Sequence, residues 1–150
     1  MTCLISQSVA ETEEFAAQLA GRLKPGDVLS LTGELGVGKT GFVRGLFSGL
    51  GGNPAYNVTS PTFTLLHEYP TKKGPLYHLD LYRLGNYREF YEAGLAECLE
   101  DKGFAVIEWG EKFEELNPSF THRLSMKITG ENERKIEILK PQRGTFGPCG

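Results

Sequence analysis

The segment Gly33-Glu34-Leu35-Gly36-Val37-Gly38-Lys39-Thr40 constrains this chain more than any other. It has the spacing G-x-x-x-x-G-K-[ST] of a phosphate-binding loop. Its glycines let the backbone turn N–H groups inward. Those groups, with the positive end of a following helix, hold phosphate oxygens. Such a loop needs a strand before it and a helix after it. Val28, Leu29 and Leu31 form a short apolar run that reads as a buried strand. Phe42, Val43, Leu46, Phe47 and Leu50 form a helical stripe closed by Gly51-Gly52. Lys39 then reaches terminal phosphates as a point charge, and the Thr40 hydroxyl serves a magnesium ion that bridges them. Gly41 is unusual, since glycine early in a helix costs about 1 kcal/mol against alanine.

The rest of the chain supplies a mixed α/β pattern. Ser8-Val9-Ala10-Glu11 matches a capping box, with Thr12 as a second possible cap. Phe15, Ala16, Leu19 and Leu23 follow at helical spacing until Pro25-Gly26. The stretch from Asn57 starts as a polar loop around Ser60-Pro61 and becomes a β-rich run with Phe63, Leu65 and Leu66. After the turn at Thr71 to Gly74, Leu76 to Leu84 reads as a second strand, so the two are expected to pair as a hairpin. Residues 86–102 suggest one or two short helices broken near Gly94. Gly103 to Glu111 is an apolar strand ending in an acid, with a short helix to Leu116. Two alternating runs, around Leu124 to Ile128 and Arg134 to Leu139, make a C-terminal hairpin. The expectation is one phosphate-loop domain over residues 1–140, a mixed central sheet flanked by helices, and a disordered polar tail at 141–150.

Composition narrows the function. At 150 residues with 39% apolar residues the chain can bury a full core without disulfide or metal. The net charge of −3 argues against an electrostatically driven nucleic-acid binder. The cysteines Cys3, Cys98 and Cys149 form no C-x-x-C pair, and reduced thiols are the simple expectation. His67, His78 and His122 lack metal-ligand spacing and read as structural or surface residues. No signal peptide and no apolar run of membrane-spanning length is seen, so a cytoplasmic location without membrane contact is expected.

A bound magnesium ion needs further oxygen ligands, usually through water and a carboxylate at a strand end. Asp80 ends Leu76-Tyr77-His78-Leu79, and Glu108 ends Phe104-Ala105-Val106-Ile107. The residues alone do not rank the two. Trp109, the single tryptophan, is either core or a wall of the nucleotide site. No N-K-x-D segment supports a guanine pocket, which leaves adenine as the default.

Four landmarks now stand in order: GELGVGKT, SPTFTLLHEY, YHLDLYRL and VIEWGE. Together they resemble the TsaE (YjeE) family, the small ATPase of bacterial tRNA threonylcarbamoyladenosine synthesis, over about residues 8–139. The resemblance implies ATP/ADP and Mg2+ as ligands and TsaD and TsaB as partners. That pair installs the threonylcarbamoyl group on adenosine 37, so tRNA is met only through the complex. It implies a phosphate loop at Gly33, Glu34, Leu35, Gly36, Val37, Gly38, Lys39 and Thr40, and a magnesium site at Thr40 and Glu108. Asp80 resembles the family's essential acid, so Lys39, Asp80 and Glu108 are the expected catalytic residues. Ser60, Pro61, Thr62 and Phe63 resemble a switch-like loop near the γ-phosphate. Thr12, Trp109 and Arg134 resemble residues beside the nucleotide. Gly41 departs from a usual second threonine, which puts one phosphate contact in doubt.

Two other classes use the same loop. A small-molecule kinase needs an acceptor pocket and an arginine-rich lid, and neither shows. A nucleotide-dependent binding module without turnover is disfavoured by the two acids. Arg83 and Arg88 are the available arginine-finger candidates and read better as surface residues. Weak hydrolysis by the chain alone is therefore expected, since a finger supplied in trans is worth about 10³–10⁵ in rate.

Overall fold

The computed structural model describes residues 2–34, 36–100 and 103–139. Seven strands form one mixed sheet in the order β1-β7-β6-β2-β5-β4-β3. They are β1 (Thr2–Ser6), β2 (Val28–Thr32), β3 (Leu66–Tyr69), β4 (Leu76–Asp80), β5 (Phe104–Glu108), β6 (His122–Ile128) and β7 (Arg134–Leu139). The strand that leads into the phosphate loop, β2, is central and runs parallel to β5 and β6. β4 runs parallel to β5. The pairs β3–β4, β6–β7 and β1–β7 are antiparallel. The α/β class, the mixed sheet and both expected hairpins are therefore present.

Side chains alternate across each strand, which sorts the core into two layers. One face of the sheet carries Leu29, Leu31, Leu76, Phe104 and Val106 and packs under α1 (Val9–Ala20) and α2 (Lys39–Gly49). The other carries Tyr77, Leu79, Ala105 and Ile107 and packs under Phe90, Phe113 and Leu116 from the later segments. Those segments include the short helices α3 (Tyr87–Glu92) and α4 (Glu97–Glu100), separated at Gly94 with φ 76° as the sequence suggests. Two 3₁₀ turns, Gly110–Lys112 and Glu114–Ser119, stand where one short helix was expected.

Helix α1 begins at the expected cap. Ser8 Oγ accepts the N–H of Glu11, and the Glu11 carboxylate accepts the N–H of Gln7. Thr12 is not a second cap. It lies inside α1, 3% exposed, and its hydroxyl is 2.7 Å from that of Ser6. α1 and α2 touch through backbone. A methyl group on Gly45 would stand 2.3 Å from the Glu13 carbonyl oxygen, and one on Gly49 2.5 Å from that of Ala17. Glycines at this i, i+4 spacing occupy one face of α2 and let the helices approach.

Three expectations are corrected. The strand that follows Ser60-Pro61 begins only at Leu66. The Pro61 carbonyl accepts the N–H groups of both Thr64 and Leu65, closing a turn that Leu65 leaves with φ 69°. Phe63 is consequently 82% exposed rather than a strand residue. The next strand stops at Asp80, because the carbonyl of Leu81 accepts the N–H of Leu84 in a turn. Cys3 is disulfide-bonded, not reduced, and its partner lies outside the described residues. The tail expected at 141–150 lies outside the described residues.

Candidate functional site

Three parallel strand ends define the site. Leu31 of β2 and Asp80 of β4 are both register partners of Glu108 on β5. The phosphate loop leaves β2 at this edge, as ligand-binding segments do at the carboxyl ends of open α/β sheets. Glu108 alternates with Phe104 and Val106, and Asp80 with Leu76 and His78, so all face the α2 side.

Within the loop, Gly36 and Gly38 take φ 81° and 109°, angles that side chains rarely adopt. Gly33 is held by close approach, since a methyl group there would stand 2.9 Å from the Met126 carbonyl oxygen. Gly38 is the N-cap of α2 and supplies no side-chain cap. The first N–H groups of that helix are thus left for an anion. Val37 is buried, Glu34 and Gly36 are exposed, and Leu35 lies outside the described residues. Thr40, half-buried, is the second residue of α2. Gly41 is buried, with space for a methyl group at 3.5 Å from Val9 Cγ1.

Lys39 Nζ donates to the Gly33 carbonyl at 2.6 Å and lies 3.4 Å from Glu108 Oε1. It also sits 5.7 Å from the centroid of the Trp109 ring. The indole is half-buried, meets the Tyr82 ring at a tilt with centroids 5.1 Å apart, and is carried by a backbone at φ 64°. With Thr32, Gly33, Glu34, Lys39 and Glu111 it lines a cavity of about 180 Å³. Trp109 thus lines this cavity while also packing against the core under the β4–β5 face.

The two acids are nearly fully buried, at 3% exposure for Asp80 and 4% for Glu108. Glu108 Oε2 lies 2.6 Å from His78 Nε2. Burial pushes the Glu108 carboxyl up. The hydrogen bond and charge of His78, with the charge of Lys39, outweigh that and hold it below the usual carboxylate range. Asp80 has different partners. Its Oδ2 accepts the Thr62 hydroxyl at 3.0 Å and its Oδ1 accepts the Tyr82 N–H at 3.0 Å. Thr62 in turn lies 2.8 Å from the Ser60 hydroxyl, beside the buried Pro61. The Ser60–Phe63 loop is thereby tied to Asp80. Lys112 Nζ donates to the carbonyls of Leu81, Tyr82 and Leu84, which joins the exit of β4 to the turn after Trp109.

On the other side of the loop, Thr12 and Arg134 line a cavity of about 550 Å³ with Gln7, Val37, Gly41 and Asn132. Arg134 already spends its guanidinium on backbone: Nε donates to the Val37 carbonyl at 2.9 Å, and a terminal nitrogen to those of Gly130 and Glu133. It braces the phosphate loop from β7. Arg83 lies over the exposed Phe63 ring at 5.1 Å, and Arg88 pairs with Glu92 at 2.8 Å, so neither arginine engages the Lys39–Glu108 pair. Sequence reasoning overlooked His78 at the centre and Gln7 and Asn132 at the second cavity. Only the alternation His78–Asp80 along a buried strand hinted at the first.

The family model described as threonylcarbamoyl adenosine biosynthesis protein TsaE matches residues 6–137. A tRNA threonylcarbamoyladenosine biosynthesis protein TsaE from Treponema pallidum is 38% identical over 138 residues, covering 92% of this chain and 99% of that protein. The Bacillus subtilis protein of the same name is 41% identical over 126 residues, covering 84% and 77%. The crystal structure of Bacillus subtilis YdiB superposes with a TM-score of 0.65 at 32% identity, covering 90% of this chain and 82% of that one. With the family model matching residues 6–137 and relatives above 30% identity along most of its length, the chain belongs to the TsaE family of threonylcarbamoyl adenosine biosynthesis proteins.

Proposed function

We propose that this protein binds ATP and hydrolyses it, with magnesium, as a subunit that supports threonylcarbamoylation of adenosine 37 in tRNA. It works with TsaD and TsaB and does not perform the transfer. The observation that carries the reading is the meeting of Lys39 Nζ with Glu108 at the mouth of an uncapped helix, one strand from Asp80. A triphosphate fits there: the N–H groups after Gly38 lack a side-chain cap, and Lys39 exchanges the Gly33 carbonyl for phosphate oxygen.

The donors also fit magnesium. Among the described residues no three His, Cys, Asp or Glu side chains gather as a metal cage. Magnesium in nucleotide sites uses one or two protein oxygens and takes the rest from phosphate and water. Thr40 and Glu108 would supply those oxygens. When bound, the ion neutralises charge that develops on the phosphoryl oxygens. Asp80, anchored by Thr62 and Tyr82, orients the attacking water. Trp109 walls the phosphate side, while Thr12 and Arg134 border the adenine side. With Arg83 and Arg88 engaged elsewhere, hydrolysis by the chain alone is weak and is completed or gated by its partners. Among the described residues no helix is long and apolar enough to cross a membrane.

Reconstituted tRNA modification tests the reading. With TsaD and TsaB present, wild-type protein sustains repeated turnover and Lys39→Ala does not. Equal support by both proteins would overturn it.

A further inference from the structure

His78 is 0% exposed, and among the described residues its side chain makes its polar contact with Glu108. On β4 it pairs in register with Val106, two residues before Glu108 on the same face of β5. Nε2 lies 2.6 Å from Glu108 Oε2, whereas Nδ1 has no hydrogen-bond partner among the described residues. A side chain that merely fills space has no use for a ring nitrogen there, because an unmatched buried polar atom costs about 1–3 kcal/mol. The contact with Glu108 is what that cost supports.

The geometry points to His78 as a positioning residue for phosphoryl chemistry. Its Nε2 fixes one oxygen of Glu108 and leaves the other facing Lys39 and the phosphate loop. This rests on the ATPase reading above. Glutamate has three side-chain torsions, and the competing contact with Lys39 is longer, at 3.4 Å. Without the imidazole, the carboxylate is free to turn onto the lysine and take the position a phosphate or its metal needs. Binding through the loop backbone survives that change, so the loss falls on turnover. Outer-shell partners of metal-binding groups are worth about 10–100-fold.

Three variants separate this role from core filling. His78→Leu keeps bulk and removes the donor. His78→Gln places an amide N–H at nearly the reach of Nε2, and His78→Asn places one at the shorter reach of Nδ1. Each is checked for folding by thermal melting. ATP hydrolysis is measured with TsaD and TsaB, and crystal structures without nucleotide locate Glu108. The expected result is a kcat lower by about 10–100-fold in Leu and Asn with KM changed by less than about 3-fold, rescue in Gln, and a Glu108 carboxylate displaced in Leu but not in Gln. A folded Leu variant with wild-type kcat, or a Gln variant as impaired as Leu, would overturn the proposal. If the wild-type protein fails to hydrolyse ATP, the ATPase reading falls. The position of Glu108 still decides for or against His78, since an unmoved carboxylate in the Leu variant contradicts it.

Discussion

Asp80 and Glu108 are register partners on neighbouring parallel strands, yet different parts of the chain hold their carboxylates. Glu108 is gripped from within the sheet by His78 and from the phosphate loop by Lys39. Asp80 is gripped by the Thr62 hydroxyl and by the backbone that leaves its own strand. One acid is thus coupled to the nucleotide loop and the other to the exposed loop around Phe63. Movement of this loop reaches Asp80 through the Thr62 hydroxyl rather than through Glu108.

Thr62→Val tests that link. The variant keeps shape and loses the donor to Asp80 Oδ2, while Oδ1 keeps the Tyr82 N–H. Its expected cost is about 1 kcal/mol in urea unfolding. Partner-supported ATP hydrolysis should fall roughly 10-fold. A wild-type rate would detach the loop from the chemistry.

The glycines of α2 are expected to behave oppositely. Gly45→Ala drives a methyl group to 2.3 Å from the Glu13 carbonyl oxygen and should cost about 1–3 kcal/mol. Gly41→Ala meets only ordinary contacts and should gain about 0.5–1 kcal/mol through helix propensity. Denaturant midpoints for the two variants measure both signs.

Glu108 should leave a mark on acid stability. Burial raises its carboxyl, but His78 and Lys39 lower it further, so it titrates below its ordinary value of 4.5. A lowered folded value adds stability that is present above the unfolded value and is lost as pH falls through the folded one. In metal-free buffer, the stability difference between wild type and Glu108→Gln should hold from neutral pH to about 5 and shrink below about 4.5. A difference unchanged down to pH 3 would contradict the assignment.

What could be read from the sequence was what neighbouring residues decide. The phosphate loop, the stripe of α2, the break at Gly94 and both hairpins follow from spacing and turn chemistry over a few positions. Strand β1 escaped because its partner β7 lies at the far end of the chain and its edge position leaves Ile5 44% exposed. The run around Phe63 carries β-forming residues, but the Pro61 carbonyl captures its N–H groups in a turn. Arg134 was placed beside the nucleotide, yet its bond to the Val37 carbonyl depends on tertiary packing that no local pattern encodes. The His78–Glu108 contact is of the same kind, a pairing across two strands set by register.

The most direct measurement is magnesium-dependent ATP hydrolysis by this protein, alone and with TsaD and TsaB, with Lys39→Ala as control. The expected result is slow turnover alone and a large rise with both partners, on the order of 10³-fold if a charge is supplied in trans, abolished in Lys39→Ala. An unchanged rate on adding the partners, or a rise that persists in Lys39→Ala, would contradict an ATPase site completed by its complex.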